Sequence, residues 1–93
     1  MCGAAKMEIV TDSERVRILR YTLHPGDQTG WHRHETDYVI VPYADARVRV
    51  ETAAGTIEVE MFRDRPYFRE KGVEHNVTSI STEPFSFLEI EIE

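Results

Sequence analysis

Several features that larger or specialised proteins need are scarce or missing in this chain of 93 residues. The single cysteine, Cys2, cannot form an internal disulfide, which excludes a disulfide-stabilised scaffold and is typical of a reducing cytosol. No apolar run approaches the ~20 residues needed to cross a bilayer. Residues 1–10 also lack the basic and apolar regions of a signal peptide. We therefore expect a cytoplasmic protein of one domain, with an inert Cys2 near its terminus.

Positive charge is scarce as well. The 11 Lys and Arg residues are outnumbered by 17 Asp and Glu, which gives a formal net charge of −6. A phosphate backbone is repelled on average by such a chain, and its arginines are scattered rather than clustered into a membrane-binding patch. The composition therefore predicts no nucleic-acid partner and no membrane partner, and leaves a small-molecule ligand as the expected one.

Short runs rich in β-branched and aromatic residues, separated by Gly and Pro, are typical of an all-β sandwich or barrel. Strands are predicted at residues 15–23, 31–41, 47–50, 56–61, 66–68, 75–80 and 88–93, with an optional eighth at 7–10. The run 31–41 is long for one strand, so we expect it to bend or bulge. Residues 53–55 are expected to close a hairpin.

Alternation of side chains predicts which faces are buried. Leu88, Ile90 and Ile92 alternate with Glu89, Glu91 and Glu93, so we expect the apolar set inside and the glutamates on a solvated face. The aromatic residues expected in the core or in a pocket wall are Phe62, Tyr67, Phe68, Phe85 and Phe87. The residues expected outside the barrel are Trp31, Arg33, Arg47 and Arg49.

Three of the four histidines form a pattern that suits a metal. His32 and His34 flank one residue, and on a strand such neighbours project to the same face with Cα atoms about 6.5–7 Å apart. His75 opens a later strand after the glycine turn at Gly72, where an antiparallel barrel brings it beside the first pair. Imidazoles placed in this way bind one metal ion. The alternative is a barrel interior of hydrogen-bonded histidines without a metal, and His24, which precedes a proline, is expected in a turn.

The same residues resemble the two motifs of the cupin superfamily. The first motif is Gly-X5-His-X-His-X3,4-Glu-X6-Gly, and the second is Gly-X5-Pro-X-Gly-X2-His-X3-Asn. At the specified positions of the first motif this chain has Gly26, His32, His34, Tyr38 and Asp45. At those of the second motif it has Asp64, Glu70, Gly72, His75 and Ser79. The resemblance covers about residues 15–93 and implies a single cupin domain over 1–93, folded as a double-stranded β-helix, or jelly-roll barrel. Segments 30–34 and 72–77 are similar to a subgroup of small single-domain cupins, some of them linked to β-alanine degradation.

The resemblance implies that His32, His34 and His75 hold a divalent transition metal such as Fe, Zn, Ni or Mn. Tyr38 stands where the family has a glutamate ligand, and its even number gives it the same inward face as the histidines. Glu35 and Asp37 should point away. A one-residue bulge after His34 would instead turn Asp37 inward, so Asp37 remains a second candidate.

Three neutral imidazoles leave a divalent ion with its full charge and with open positions, which favours an anionic or chelating ligand. We expect a metalloenzyme acting on a small anionic metabolite, first by Fe(II)-dependent dioxygenase chemistry and next by lyase or isomerase chemistry. Tyr38 is the candidate catalytic residue, and Arg69 and Phe68 are the candidate substrate contacts. The alternatives are a non-catalytic module that binds or senses a small molecule, and a purely structural barrel.

The small size of the chain also bears on assembly. A barrel of 93 residues leaves sheet edges and apolar outer positions uncovered. Pairing of two chains would hide them, so we expect a homodimer.

Overall fold

The computed structural model describes residues 3–93, which form nine β-strands and no helix. Cys2 lies outside the described residues. The strands are β1 (Lys6–Asp12), β2 (Val16–Leu23), β3 (His32–Arg33), β4 (Asp37–Pro42), β5 (Ala46–Thr52), β6 (Gly55–Met61), β7 (Tyr67–Arg69), β8 (Glu74–Ser79) and β9 (Phe85–Ile92). The all-β architecture expected from the short β-rich runs is therefore confirmed.

The strands form two sheets that face each other across the core. One sheet has the order β1-β2-β9-β4-β7, and the other has the order β3-β8-β5-β6. All of the strand pairs are antiparallel. Buried residues from both sheets meet in one cluster, including Leu23, Ile40 and Phe87 from the first sheet and Val48 and Met61 from the second. This two-layer arrangement is the expected jelly-roll barrel.

The run 31–41 is divided between the two sheets. Strand β3 belongs to the four-stranded sheet and β4 to the five-stranded sheet, so residues 34–36 carry the chain from one layer to the other. The expected bend is therefore a change of sheet. The optional strand near the N-terminus is present as β1, and the hairpin is confirmed because Thr52 pairs with Gly55 around a two-residue turn.

Strand β9 has its faces the other way round from the sequence-based prediction. The inward side chains are Phe85, Phe87 and Glu89, and the outward ones are Leu88, Ile90 and Ile92. Only 5% of Glu89 is exposed, whereas 42% of Ile92 is, and the Glu91 side chain is 17% exposed. The expected solvated acidic face is thus wrong, because alternation separates two faces without saying which of them meets the other sheet.

The outward face of β9 continues an apolar row across the five-stranded sheet. Ile90 lies between Ile18 of β2 and Val39 of β4, and Val39 pairs in turn with Phe68 of β7. Directly opposed side chains of this kind stabilise the sheet through cross-strand contacts. An apolar outer face is also what the expected homodimer would need, and the homodimer stays a prediction.

The aromatic residues divide between the two sides of the barrel wall. Phe85 and Phe87 are buried and Tyr67 lines the interior, as expected. Phe62 and Phe68 are 47% and 52% exposed, so neither lies in the core, and neither borders the cavity at the histidines. Phe68 turns outward because it alternates with Tyr67 and Arg69, whose side chains border the interior cavity.

Several polar residues lie outside the barrel, as predicted. His24 is an exposed turn residue whose carbonyl accepts a 2.9 Å hydrogen bond from the Asp27 amide. Arg33, Arg47 and Arg49 are exposed. Trp31 is 57% exposed and lies outside the barrel, whereas the side chain of its neighbour His32 points into the interior.

Candidate metal centre

His32, His34 and His75 converge inside the barrel. Their Nε2 atoms are separated by 3.0 Å (His32–His34), 3.0 Å (His34–His75) and 3.2 Å (His75–His32). His32 and His75 are direct partners in the antiparallel β3–β8 pair, so their side chains share one face. Two main-chain hydrogen bonds connect His34 to the turn that precedes β8. The His34 amide donates to the Val73 carbonyl at 2.9 Å, and the Gly72 amide donates to the His34 carbonyl at 2.8 Å. Gly72 has a φ of +95°, a backbone conformation that favours glycine.

The spacing of the three nitrogens fits a single metal ion. Nitrogens that each lie ~2.0–2.1 Å from one ion are about 2.9 Å apart at right angles and about 3.4 Å apart at tetrahedral angles. The separations of 3.0, 3.0 and 3.2 Å fall between these limits. Within residues 3–93 this is the one group of three or more His, Cys, Asp or Glu side chains whose ligand atoms come together in this way.

The protonation of the cluster also suits a metal. Burial lowers the pKa of His34 to about 4, helped by the neighbouring His32 and His75. Burial and the same His32 lower the pKa of His75 to about 4. Both rings are therefore neutral at neutral pH, so each has one ring nitrogen with a free lone pair that can bind a cation. Lone pairs on neighbouring Nε2 atoms repel one another. A cation bound between these rings would accept the lone pairs as coordinate bonds and would remove this repulsion.

Hydrogen bonding fixes the tautomer of His32. Its Nδ1 lies 2.8 Å from the carbonyl oxygen of Gly30. A carbonyl can only accept, so Nδ1 carries a hydrogen, and in the neutral ring Nε2 then presents its lone pair to the cluster. The contact with Gly30 therefore orients the His32 ring with Nε2 toward the other two histidines.

Tyr38 packs directly against the cluster. Its ring stacks on that of His34, with centroids 3.9 Å apart and planes at 19°, and the residue is 3% exposed. The predicted inward orientation of Tyr38 is confirmed. Burial, followed by the charge of Glu89, raises the pKa of Tyr38 to about 12, so the hydroxyl keeps its proton at neutral pH. Asp37 points elsewhere, since its carboxylate accepts a 2.9 Å hydrogen bond from the Lys71 amide.

Glu89 is a site residue that the sequence reasoning missed. Its Oε1 lies 3.8 Å from His34 Nδ1, the ring nitrogen that faces away from the cluster. Burial and the nearby Glu91 raise the pKa of Glu89 to about 7, while Arg17 acts in the opposite direction. The usable signal was parity, because Glu89 shares its face with Phe85 and Phe87, two large aromatic residues that a barrel buries. A carboxyl behind a ligand histidine orients the ring and strengthens it as a donor.

The cluster opens into a cavity of about 220 Å³. Most of its wall is apolar, formed by Ile40, Val48, Val50, Ile57, Val59, Met61, Val73, Val77 and Phe87. Arg69 borders the cavity with its guanidinium carbon 4.5 Å from the centre of the Tyr67 ring, and its Nη1 donates to the Phe68 carbonyl at 2.9 Å. Phe68 itself does not border the cavity, so a direct contact between its side chain and a ligand there is not supported.

The fold and the histidine cluster define a class of protein. A double-stranded β-helix that gathers three histidines in its interior is the arrangement of a cupin. No protein-family model matches the chain. Residues 3–93 contain no helix long and apolar enough to cross a membrane.

Comparisons with known proteins agree with this class. The chain is 38% identical over 84 residues to the beta-alanine degradation protein BauB of Pseudomonas aeruginosa, covering 90% of this chain and 88% of BauB. It is 40% identical to a cupin domain of known structure from Bordetella pertussis, with a TM-score of 0.97 over 100% of this chain and 97% of that one. A structure from Thermus thermophilus is 26% identical, with a TM-score of 0.74 over 96% and 83%. The chain belongs to the cupin superfamily and is a relative of BauB.

Proposed function

We propose that this cupin binds one divalent transition metal through His32, His34 and His75 and oxidises a small carboxylate-bearing metabolite with dioxygen. The observation that carries the proposal is the convergence of three Nε2 atoms at 3.0, 3.0 and 3.2 Å on the wall of a cavity. An Fe(II) ion at this place would supply Lewis acidity and reactivity toward dioxygen. Zinc, nickel or manganese would suit the same nitrogens and would favour lyase or isomerase chemistry.

The charge of the site supports an anionic substrate. Three neutral imidazoles do not offset the charge of a divalent ion, so a bound anion compensates it. Arg69 borders the same cavity and presents a guanidinium that pairs with a carboxylate through two parallel hydrogen bonds. We therefore assign Arg69 to the substrate carboxylate.

Tyr38 is the residue that we assign to proton handling. Its hydroxyl stays protonated at neutral pH because burial raises its pKa to about 12. The hydroxyl can hydrogen-bond a substrate oxygen, donate its proton as negative charge develops there, and regain a proton from water when the product leaves. The mostly apolar wall makes the surroundings of the hydroxyl less polar than water, which strengthens its hydrogen bonds.

The name of the relative BauB suggests a substrate class. β-Alanine is a three-carbon amino acid with one carboxylate, and a cavity of about 220 Å³ suits a ligand of that size. We propose short carboxylates related to amino acids as substrates. The alternative function is binding or sensing of the same ligands without turnover, which is favoured by the mostly apolar wall of the cavity and by the raised pKa of Tyr38, which keeps its hydroxyl from acting as a base.

Oxygen uptake separates these two functions. Protein reconstituted with Fe(II) is mixed with β-alanine and other short carboxylates, and dioxygen consumption is measured with ligand binding in parallel. The proposal predicts one O2 consumed per substrate molecule, because a dioxygenase places both oxygen atoms in the product and needs no external reductant. Saturable binding without oxygen uptake would support the binding module and contradict the enzyme.

Arg69→Gln is expected to raise KM about 10-fold, since a hydrogen bond to a charged group contributes roughly 1.5–3 kcal/mol. Arg49→Gln is the matched control, because Arg49 is exposed on the outer face of β5. Equal KM values for the two variants would remove Arg69 from the substrate site.

A further inference from the structure

Asn76 is a buried amide on β8, directly after the ligand His75. It is 4% exposed and lies on the opposite side of the strand from the histidine. Its Oδ1 accepts a 3.0 Å hydrogen bond from the Gly30 amide, and its Nδ2 donates to Glu51 Oε1 at 3.1 Å and to Gln28 Oε1 at 3.4 Å. Asn76 therefore joins the 28–30 loop to both β8 and β5.

The orientation of the Asn76 amide follows from its partners. A backbone N–H can only donate, and an ionised carboxylate can only accept. The oxygen of Asn76 must therefore face Gly30, and its nitrogen must face Glu51. A buried amide with both ends satisfied in this way holds its neighbours in one arrangement.

Gly30 carries this constraint to the metal site. Its φ is +86°, a left-handed conformation that favours glycine, and no atom lies within 4 Å of the place where a Cβ would stand. The amide of Gly30 is held by Asn76, and its carbonyl accepts hydrogen bonds from His32 Nδ1 at 2.8 Å and Thr29 Oγ1 at 3.1 Å. The amide and the carbonyl flank one Cα, so fixing the amide helps to direct the carbonyl toward His32.

His32 depends on this loop more than the other two ligands do. It lies on β3, a two-residue strand at the edge of the four-stranded sheet. His75 lies on β8 in the interior of that sheet, and His34 is tied by main-chain hydrogen bonds to Gly72 and Val73. The Gly30 carbonyl is the contact that selects the His32 tautomer with its lone pair on Nε2.

We propose that Asn76 is a positioning residue of the metal centre, which fixes the Gly30 carbonyl so that His32 is held in the Nδ1–H tautomer and aimed at the cluster. This inference rests on the proposed metal binding. Outer partners of ligand histidines typically contribute 10–100-fold to metal affinity. We expect the lower end of that range, because Thr29 also holds the loop through hydrogen bonds with the amide and carbonyl of Val77.

The test combines two measurements on the full chain. Zinc affinity is measured by competition with a chromophoric chelator, and the His32 tautomer is read from ¹⁵N NMR of the metal-free protein. Asn76→Ala is expected to weaken zinc binding about 10-fold and to mix the His32 tautomers. Leu23→Val, in the fully buried core and away from the cavity wall, is the control for a general loss of stability and should change neither measurement.

A paired substitution provides a rescue. Asn76→Asp keeps the acceptor for Gly30 but loses the donor toward Glu51 and places two carboxylates together, so it should weaken zinc binding. Adding Glu51→Gln restores a donor–acceptor pair across the same contact and should recover the affinity. No change in Asn76→Ala, or no recovery in the double variant, would overturn the positioning role. Failure of the wild-type chain to bind zinc would instead contradict the proposed function, while the tautomer measurement would still test the link from Asn76 to His32.

Discussion

Replacing His75 with alanine should lower the affinity for divalent transition metals by more than about 100-fold, beyond the 10–100-fold that outer partners contribute. The substitution removes one of the three nitrogens that lie 3.0–3.2 Å apart and leaves two neutral donors for the ion. Isothermal titration with Zn²⁺, Ni²⁺ and Co²⁺ measures the effect. The wild-type chain should bind one ion.

His24→Ala is the matched control for this prediction. His24 is an exposed turn residue with a 68% exposed side chain, outside the cluster. Its replacement should leave stoichiometry and affinity unchanged. Equal losses in the two variants would mean that surface histidines bind the metal, and equal affinities near that of the wild type would remove His75 from the site.

Replacing Glu89 with glutamine should stabilise the metal-free protein at neutral and alkaline pH. Burial raises the pKa of Glu89 in the folded protein from 4.5 to about 7. Below pH 4.5 the carboxyl is protonated in both the folded and the unfolded chain, so it adds no penalty there. As the pH rises from 4.5 to about 7 the unfolded chain loses this proton first, and the wild type loses roughly 3 kcal/mol of stability relative to an ordinary carboxyl.

Urea unfolding of the metal-free proteins across this pH range tests the expectation. The free energy of unfolding of Glu89→Gln should exceed that of the wild type by about 2–3 kcal/mol at pH 8 and should approach it at pH 4.5. Glu58→Gln, at an exposed position of β6, should change it by less than about 0.5 kcal/mol throughout. Parallel profiles for Glu89→Gln and the wild type would show that Glu89 is not held in a site that disfavours its charge.

The same Glu89 substitution should have the opposite effect on metal binding. The carboxylate lies 3.8 Å from His34 Nδ1, so its negative charge strengthens that ring as a donor to a cation. Glu89→Gln should therefore weaken zinc binding about 10-fold while the metal-free chain becomes more stable. A gain in stability with a loss of affinity distinguishes a site residue from a residue that only supports the fold.

The histidine cluster could be predicted from the sequence because one pair of its residues is local and the third residue follows a recognisable turn. Residues two apart on an extended chain lie on the same face, and this rule predicts His32 and His34 together, although β3 itself ends at Arg33. The place of His75 followed from a glycine turn and the antiparallel barrel, and the structure pairs it directly with His32. Tyr38 followed from the same parity, although the chain changes sheets between His34 and β4.

The same rules conflict over the buried glutamate, because Phe85 and Phe87 favour its face of β9 and the three aliphatic residues favour the other, and these rules cannot predict the amide network. Alternation along β9 gives two faces, and hydrophobicity placed Leu88, Ile90 and Ile92 inside, yet the packing of β2 and β4 puts Glu89 there. The role of Asn76 depends on a loop conformation that is set by Gly30 and on contacts with Gln28 and Glu51, which are distant in sequence. Long-range contacts of this kind have no periodic signature.

Anomalous diffraction from crystals of the untagged chain, loaded with zinc and measured on both sides of the zinc absorption edge, tests the central claim most directly. The account predicts one strong peak within about 2.0–2.1 Å of the Nε2 atoms of His32, His34 and His75. A metal-loaded crystal whose anomalous peaks all lie elsewhere, with these three rings only hydrogen-bonded to one another, would contradict it.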